Sequence, residues 1–200
     1  MNVEERKTAA TPSSQRQQLS LFARNFFKHP KMLGSIIPSS PFLIRRLLEP
    51  VDWERARVIV EYGPGVGTIS REILRRMHPE AILVAIETNE EFVDYLRTAL
   101  PDPRLQLVPG SAEDVAAILA ERELSAADYV VAGIPFSTMP DGLRHGVLSA
   151  TRDTLAAHGE LLIYQFSPKV LPDLERTYQR VRRGFEPLNI PPAQVYFCQP

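Results

Sequence analysis

The sequence predicts a three-layer α/β fold built on a seven-stranded, mostly parallel sheet whose last strand runs antiparallel. Three observations carry that expectation. From Val58 onward, short strand-like runs alternate with helical patterns, the order that parallel crossovers produce. The strand-like runs are apolar throughout, as strands covered by helices on both faces must be. The closing stretch breaks the alternation: "YQRVRRGFEPL" and "AQVYFCQ" are joined by "NIPPA", with no length for a helix between them. That is a hairpin at the sheet edge, and it reverses the final strand.

The elements follow in order. Residues 1–18 are polar, with Ser13, Ser14, Gln15, Gln17 and Gln18 and no apolar core of a signal peptide, and read as a disordered start. Residues 19–57 read as amphipathic helices forming an N-terminal lid. In "LSLFARNFFKH", Leu19, Phe22, Ala23 and Phe26 share one helical stripe. In "GSIIPSSPFLIRRLL", Ser40 is the expected N-cap and Pro41 the first helical position. Residues 58–200 then form the sheet domain. "RVIVEYG" is a strand, and "TISREILRRM" sets Ile69, Ile73 and Met77 on one helical face. "AILVAIE" is the second strand, followed by the helix "EEFVDYLRTAL". "RLQLVPG" and "ADYVVAG" are further strands around the helical stretch "AEDVAAILAERE", and "PDGLRHGVLSATRDTLAAHG" is a helix before the apolar strand "ELLIYQF".

Composition narrows the function classes. The chain is 44% hydrophobic and 24% charged with a formal net charge of −1, so nothing suggests a whole-surface attraction to nucleic acid. No apolar run approaches the roughly 18 residues of a spanning helix. The single cysteine, Cys198, has no internal partner, which fits a reducing, cytoplasmic compartment. One end is locally basic: Arg6, Lys7, Arg16, Arg24, Lys28, Lys31, Arg45 and Arg46 face only Glu4 and Glu5 in residues 1–46.

The chemistry concentrates in "VIVEYGPGVGTISREIL". Glycines at 63, 65 and 67 follow a strand and precede a helix, where a missing Cβ lets a ligand approach the backbone. The dinucleotide fingerprint is G-x-G-x-x-G with a pyrophosphate on the helix N-terminus. Here the third glycine comes one residue early. The resulting E-x-G-x-G-x-G is the spacing of S-adenosylmethionine sites; a dinucleotide site and a simple tight turn are the alternatives. Glu61, Gly63, Pro64, Gly65 and Gly67 are the loop's cofactor candidates. Glu87, ending the next strand with Thr88 after it, offers a carboxylate fork for two ribose hydroxyls. Ser111 and Ala112, after the third strand, lie where an adenine edge would rest, and Glu113 is the weaker neighbour. In "AGIPFSTMP", Gly133 closes the cofactor set and starts the acceptor loop.

Seven strands with a reversed last one is the class I methyltransferase, Rossmann-like architecture. Beyond the fold, "FFKHPKMLGSIIPSS", "EYGPGVGTIS", "AGIPFSTMP", "LLIYQFSP" and "NIPPAQVY" make the chain resemble bacterial soluble, membrane-associating phosphatidylethanolamine N-methyltransferases, related to rRNA dimethyladenosine transferases. The resemblance spans residue 20 to the C-terminus, with Ser111 standing where an aspartate is frequent. It implies stepwise methylation of a lipid amine towards phosphatidylcholine, with S-adenosylmethionine as donor and S-adenosylhomocysteine as product. It also implies a peripheral position on the inner face of the membrane, against anionic lipids. Phe22, Phe26 and Phe27 would then enter the surface beside Arg16, Arg24, Lys28 and Lys31, or pack as a lid on their own domain.

For the acceptor, the carbonyls of Gly133 and Ile134 are expected to receive amine hydrogen bonds. Pro135 fixes their direction, and Phe136 faces the growing cation. Ser39, Ser40 and Tyr62 are candidate substrate contacts. Gly133 replaces the asparagine of adenine methyltransferases, which disfavours RNA adenine. An rRNA adenine N6-methyltransferase, a small-molecule amine methyltransferase and a non-catalytic cofactor-binding module remain the alternatives. His29, His78, His145 and His158 are scattered, and no metal site is expected. Oligomeric state is left open.

Overall fold

The computed structural model describes residues 39–200. Expectations that fall on residues 1–38, including the disordered start, the phenylalanine stripe and His29, lie outside the described residues. The sheet has seven strands in the order β3-β2-β1-β4-β5-β7-β6. They are β1 (Val58–Tyr62), β2 (Ile82–Glu87), β3 (Leu105–Pro109), β4 (Ala127–Ala132), β5 (Leu155–Gln165), β6 (Arg180–Glu186) and β7 (Ala193–Gln199). β1 to β5 pair in parallel, and β7 runs antiparallel between β5 and β6. The reversal is therefore one strand in from the edge, and β6 is the edge strand.

Helices cover both faces. α1 (Pro41–Leu47), α2 (Thr68–Arg76) and α3 (Glu90–Ala99) lie on one side. Their Leu43, Leu47, Ile73 and Leu96 are fully buried against Ile59, Leu83 and Leu162 of the sheet. α4 (Val115–Ala120), α5 (Asp141–Thr154) and α6 (Leu171–Thr177) cover the other, where Val115, Leu148 and Leu174 meet Val60, Val130 and Ile163. Each face of a central strand is apolar because each meets a helix.

Local rules explain most boundaries. Ser40 accepts the Leu43 N–H at 3.1 Å and Pro41 opens α1, as the sequence predicts. Asn89 caps α3 through the Glu91 N–H, and Glu90 and Glu91 favour its first turn. One boundary differs from expectation. α5 stops at Thr154 and Leu155–Gly159 is strand, with Leu155 opposite Ala127 in a pairing that shifts register before Tyr129. The alanines there favour helix, and sheet pairing overrides that local preference.

α1 belongs to the core of the domain, since Leu43, Leu47 and Leu48 are fully buried. Leu47→Ala should therefore destabilise the protein by about 2–5 kcal/mol, read as a lower urea midpoint.

Candidate active site

The glycine turn between β1 and α2 has the conformation its composition suggests. Gly63, Gly65 and Gly67 have φ of +66°, +54° and +75°, a region that side chains disfavour. A Cβ on Gly63 would lie 2.8 Å from Ile134 Cγ2, so the β1 and β4 loops touch because position 63 is bare. The third glycine serves packing. A Cβ on Gly67 would stand 2.6 Å from Leu96 and 2.9 Å from Leu100 on the α3 side. Pro64 accepts the Gly67 N–H at 2.8 Å and closes the turn. Pro64, Gly65 and Gly67 thus shape the cradle, and Gly63 alone of the three glycines faces the cleft.

That cleft, about 230 Å³, opens at the carboxyl ends of β1 to β4. Gly63, Glu87, Thr88, Ser111, Ala112, Ile134 and Pro135 all line it. Ile86, Phe92, Met139 and Leu143 make its walls apolar. Glu87 is buried; its Oε2 accepts the Gly65 N–H at 3.1 Å and its Oε1 the Asn89 N–H at 3.0 Å. Thr88 also bonds this carboxylate, through its backbone and its side chain. Burial raises the pKa of Glu87, and its backbone hydrogen bonds oppose the rise. Ser111 Oγ accepts the Glu113 N–H at 3.3 Å. The Glu113 carboxylate lies over Gly146. An apolar slot edged by a carboxylate fits the chemistry of an adenosine.

Glu61 lies behind the turn, outside the lining of that slot. It is buried, and Ser70 Oγ donates to its Oε2 at 2.6 Å. Burial pushes its pKa up to about 7, with the Glu87 charge adding to the rise and the Ser70 bond opposing it. Tyr164 is close by. Its hydroxyl pairs with Ser39 and feels the Glu61 charge, and burial raises its pKa. Ser39 thus meets Tyr164, and Ser40 is occupied at the helix cap while its N–H donates to Asn189 Oδ1 at 2.9 Å. Neither serine hydroxyl faces the slot.

The loop after β4 is held from two directions. Gln165, buried at the end of β5, donates from Nε2 to the Ile134 carbonyl at 2.8 Å, and its Oε1 faces the Ser137 N–H at 3.4 Å. Arg144 of α5 donates to the Met139 carbonyl at 3.0 Å. Its Nε reaches Asp173 at 2.6 Å, and Asp173 also binds His145 at 2.9 Å and Arg176. Ile134 is engaged by Gln165, whereas the Gly133 carbonyl has no hydrogen-bond partner among the described residues. Position 133 has little room. A Cβ would come within 3.3 Å of both the Gly63 carbonyl and the Tyr164 hydroxyl.

Tyr62 lines the cleft, but its hydroxyl is fully buried and bonded to Thr151 Oγ1 at 3.0 Å, on the core side. One expected substrate contact is corrected. The Phe136 ring is fully buried in the core on the α5 side, where it cannot face a cation in the cleft. The rim positions it was expected to fill belong to Met139 and Leu143. His145 and His158 pair with Asp173 and Asp128, and no metal-binding cluster occurs among the described residues. Sequence reasoning misses Gln165, Arg144 and Tyr164. The legible signal is a lone glutamine inside the apolar run "LLIYQF"; Arg144 gives none, because helix surfaces carry many arginines.

This fold and this slot define a class I S-adenosylmethionine-dependent methyltransferase. A TehB-like S-adenosylmethionine-dependent methyltransferase from Corynebacterium glutamicum superposes with a TM-score of 0.60 at 14% identity, covering 95% of this chain and 100% of that one. PigF, solved with S-adenosylhomocysteine, gives 0.60 at 12% identity over 80% of this chain and 55% of its own. No family model matches the sequence. The ornithine lipid N-methyltransferase of Singulisphaera acidiphila is 35% identical over 181 residues, 90% of this chain and 94% of that protein. The chain belongs to that lipid N-methyltransferase family. Ribosomal RNA small subunit methyltransferase A of Mycoplasma capricolum is 28% identical over 102 residues, 51% of this chain and 36% of that protein. The resemblance to lipid N-methyltransferases related to rRNA methyltransferases is thereby borne out, through a relative named for ornithine lipid.

Two outcomes follow from the geometry. Glu61 binds its proton more tightly when folded, so its contribution to stability is complete below its ordinary value of 4.5 and is lost as pH rises through about 7. Thermal melts should show Glu61→Gln, which keeps an acceptor for Ser70, gaining on the parent between pH 5 and 8. Gln165→Leu should slow methyl transfer by about 10–100-fold through misplacement of the loop. S-adenosylhomocysteine affinity should stay within about twofold, measured by calorimetry.

Proposed function

We propose that the acceptor is the primary amine of a membrane lipid, an ornithine lipid first and phosphatidylethanolamine second. The observation that carries this reading is the 35% identity reaching across 94% of an ornithine lipid N-methyltransferase. The crowding at Gly133 supports it, since an asparagine there, as adenine methyltransferases use, would press on Gly63 and Tyr164. When bound, S-adenosylmethionine supplies a methyl group already activated on a sulfonium. The protein's part is then to position and desolvate the amine.

Glu87 is assigned to the ribose, Ser111 and Ala112 to the adenine edge, and Thr88 to the rim beside them. Gly63 admits the donor to the backbone, while Pro64, Gly65 and Gly67 hold the turn that makes this possible. Glu61, behind the turn and bonded to Ser70, backs the loop from the core side. The Gly133 carbonyl receives the amine N–H and aims the nitrogen lone pair. Ile134 and Pro135 wall the path, and Gln165 keeps the Ile134 carbonyl fixed. A lipid ammonium has an ordinary pKa of about 10, and transfer into this apolar slot lowers it towards the neutral, nucleophilic form.

The test is methylation with labelled S-adenosylmethionine of vesicles containing ornithine lipid or phosphatidylethanolamine, with ribosomal RNA in parallel. Label should enter the ornithine lipid fastest, phosphatidylethanolamine more slowly, and RNA at background. Label confined to RNA, or to a small soluble amine, overturns the reading.

A further inference from the structure

The β6–β7 hairpin ends in "PLNIPP", residues 187–192, a tip without a charged side chain. Ile190 is 85% exposed and Leu188 60%, and Phe185 at the end of β6 is 50% exposed. Phe42 of α1 is 44% exposed. These four are the large apolar side chains most exposed among the described residues. Folding leaves them out, and a cluster of that kind marks a contact surface.

Leu188, Ile190 and Phe42 stand together for reasons the chain supplies; Phe185 lies on the other face of the sheet, the face of Val181, because its neighbour Gly184 faces Arg46 of α1. The Ser40 N–H donates to Asn189 Oδ1, and Asn189 Nδ2 donates to the Pro191 carbonyl at 2.7 Å. That pins the start of α1, and with it Phe42, to the hairpin tip. Glu186, the sole acid on α1 or β6, is buried and accepts the Leu188 N–H at 2.8 Å. The charges of α1 are both cations: Arg45 lies 5.7 Å from the centre of the Phe42 ring, and Arg46 packs over Gly184. β6 runs parallel to β5, with Glu186 opposite Ala193 and Gln165 opposite Gln194. The tip therefore leaves the sheet at its carboxyl end, beside Gln165 and the acceptor loop.

We infer that this tip docks on the surface of a bilayer bearing anionic head groups, with Leu188 and Ile190 entering the acyl boundary, Phe42 beside them and Arg45 and Arg46 at the head groups. The inference rests on the lipid reading above and goes beyond it by assigning the surface. An apolar wedge flanked by arginines matches an interface whose outer layer is anionic and whose interior is apolar. A globular partner offers no such layering. Its place at the substrate end lets an amine head group reach the acceptor loop from the membrane plane.

The experiment compares the full chain with Leu188→Ser/Ile190→Ser and with Arg45→Glu, by flotation with vesicles of phosphatidylglycerol and phosphatidylcholine. Calorimetry with S-adenosylhomocysteine checks that each variant is folded. The double variant should bind vesicles about tenfold more weakly or worse. It should lose vesicle-borne methylation while methylating the same lipid in detergent micelles at the parent's rate. Arg45→Glu should weaken binding only where phosphatidylglycerol is present. An environment-sensitive dye on Ile190→Cys should shift to the blue on adding vesicles. Unchanged vesicle binding by the double variant, or a dye signal that vesicles do not move, overturns the inference even if lipid methylation by the parent stands. A parent that methylates no lipid at all overturns the lipid reading itself.

Discussion

The carboxylate of Glu87 joins parts of the chain that would otherwise move separately. One oxygen takes the amide of Gly65 in the turn after β1, and the other takes the amide of Asn89 at the start of α3. Both amides belong to turn or capping backbone that has no ladder partner, so the side chain satisfies donors that burial would otherwise penalise. The slot beside it exists because these turns are fixed at that spacing. The group that holds the scaffold in this way also lines the cleft. Glu61 is raised to about 7 chiefly by burial, with the Glu87 charge adding a smaller share.

Much of this is legible in the amino-acid sequence. The spacing of the glycines signals their left-handed turn, and Glu87 is marked by its place at the end of an apolar strand. The parallel sheet and its reversed strand follow from alternation plus the closing hairpin. What the sequence conceals are facts of depth and direction. Tyr62 and Phe136 sit beside the motifs that flag them, yet both rings turn into the core, and strand ends alternate faces in a way that a motif does not reveal. Gln165 is distant from Ile134 in the chain and meets it only because β4 and β5 pair. Leu155–Gly159 reads as helix from composition and becomes strand because β4 offers it a partner.

The acceptor side is built differently from the donor side. The donor slot is made by turns that immediately follow strands and so inherit the rigidity of the sheet. The loop 133–139 follows its strand with a short helical turn and is fastened by side chains from elsewhere: Gln165 from β5 and Arg144 from α5. Such loops carry specificity on many α/β scaffolds because their anchors and their exposed residues are different groups.

The Arg144–Asp173 cluster makes that separation concrete. The guanidinium grips the carbonyl of Met139, while the Met139 side chain is left to line the cleft. A carbonyl is the same whatever side chain its residue bears, so the grip is indifferent to what stands at that position. Relatives could exchange the rim one residue at a time, drifting from one head group to another, without dismantling the machinery that presents the methyl.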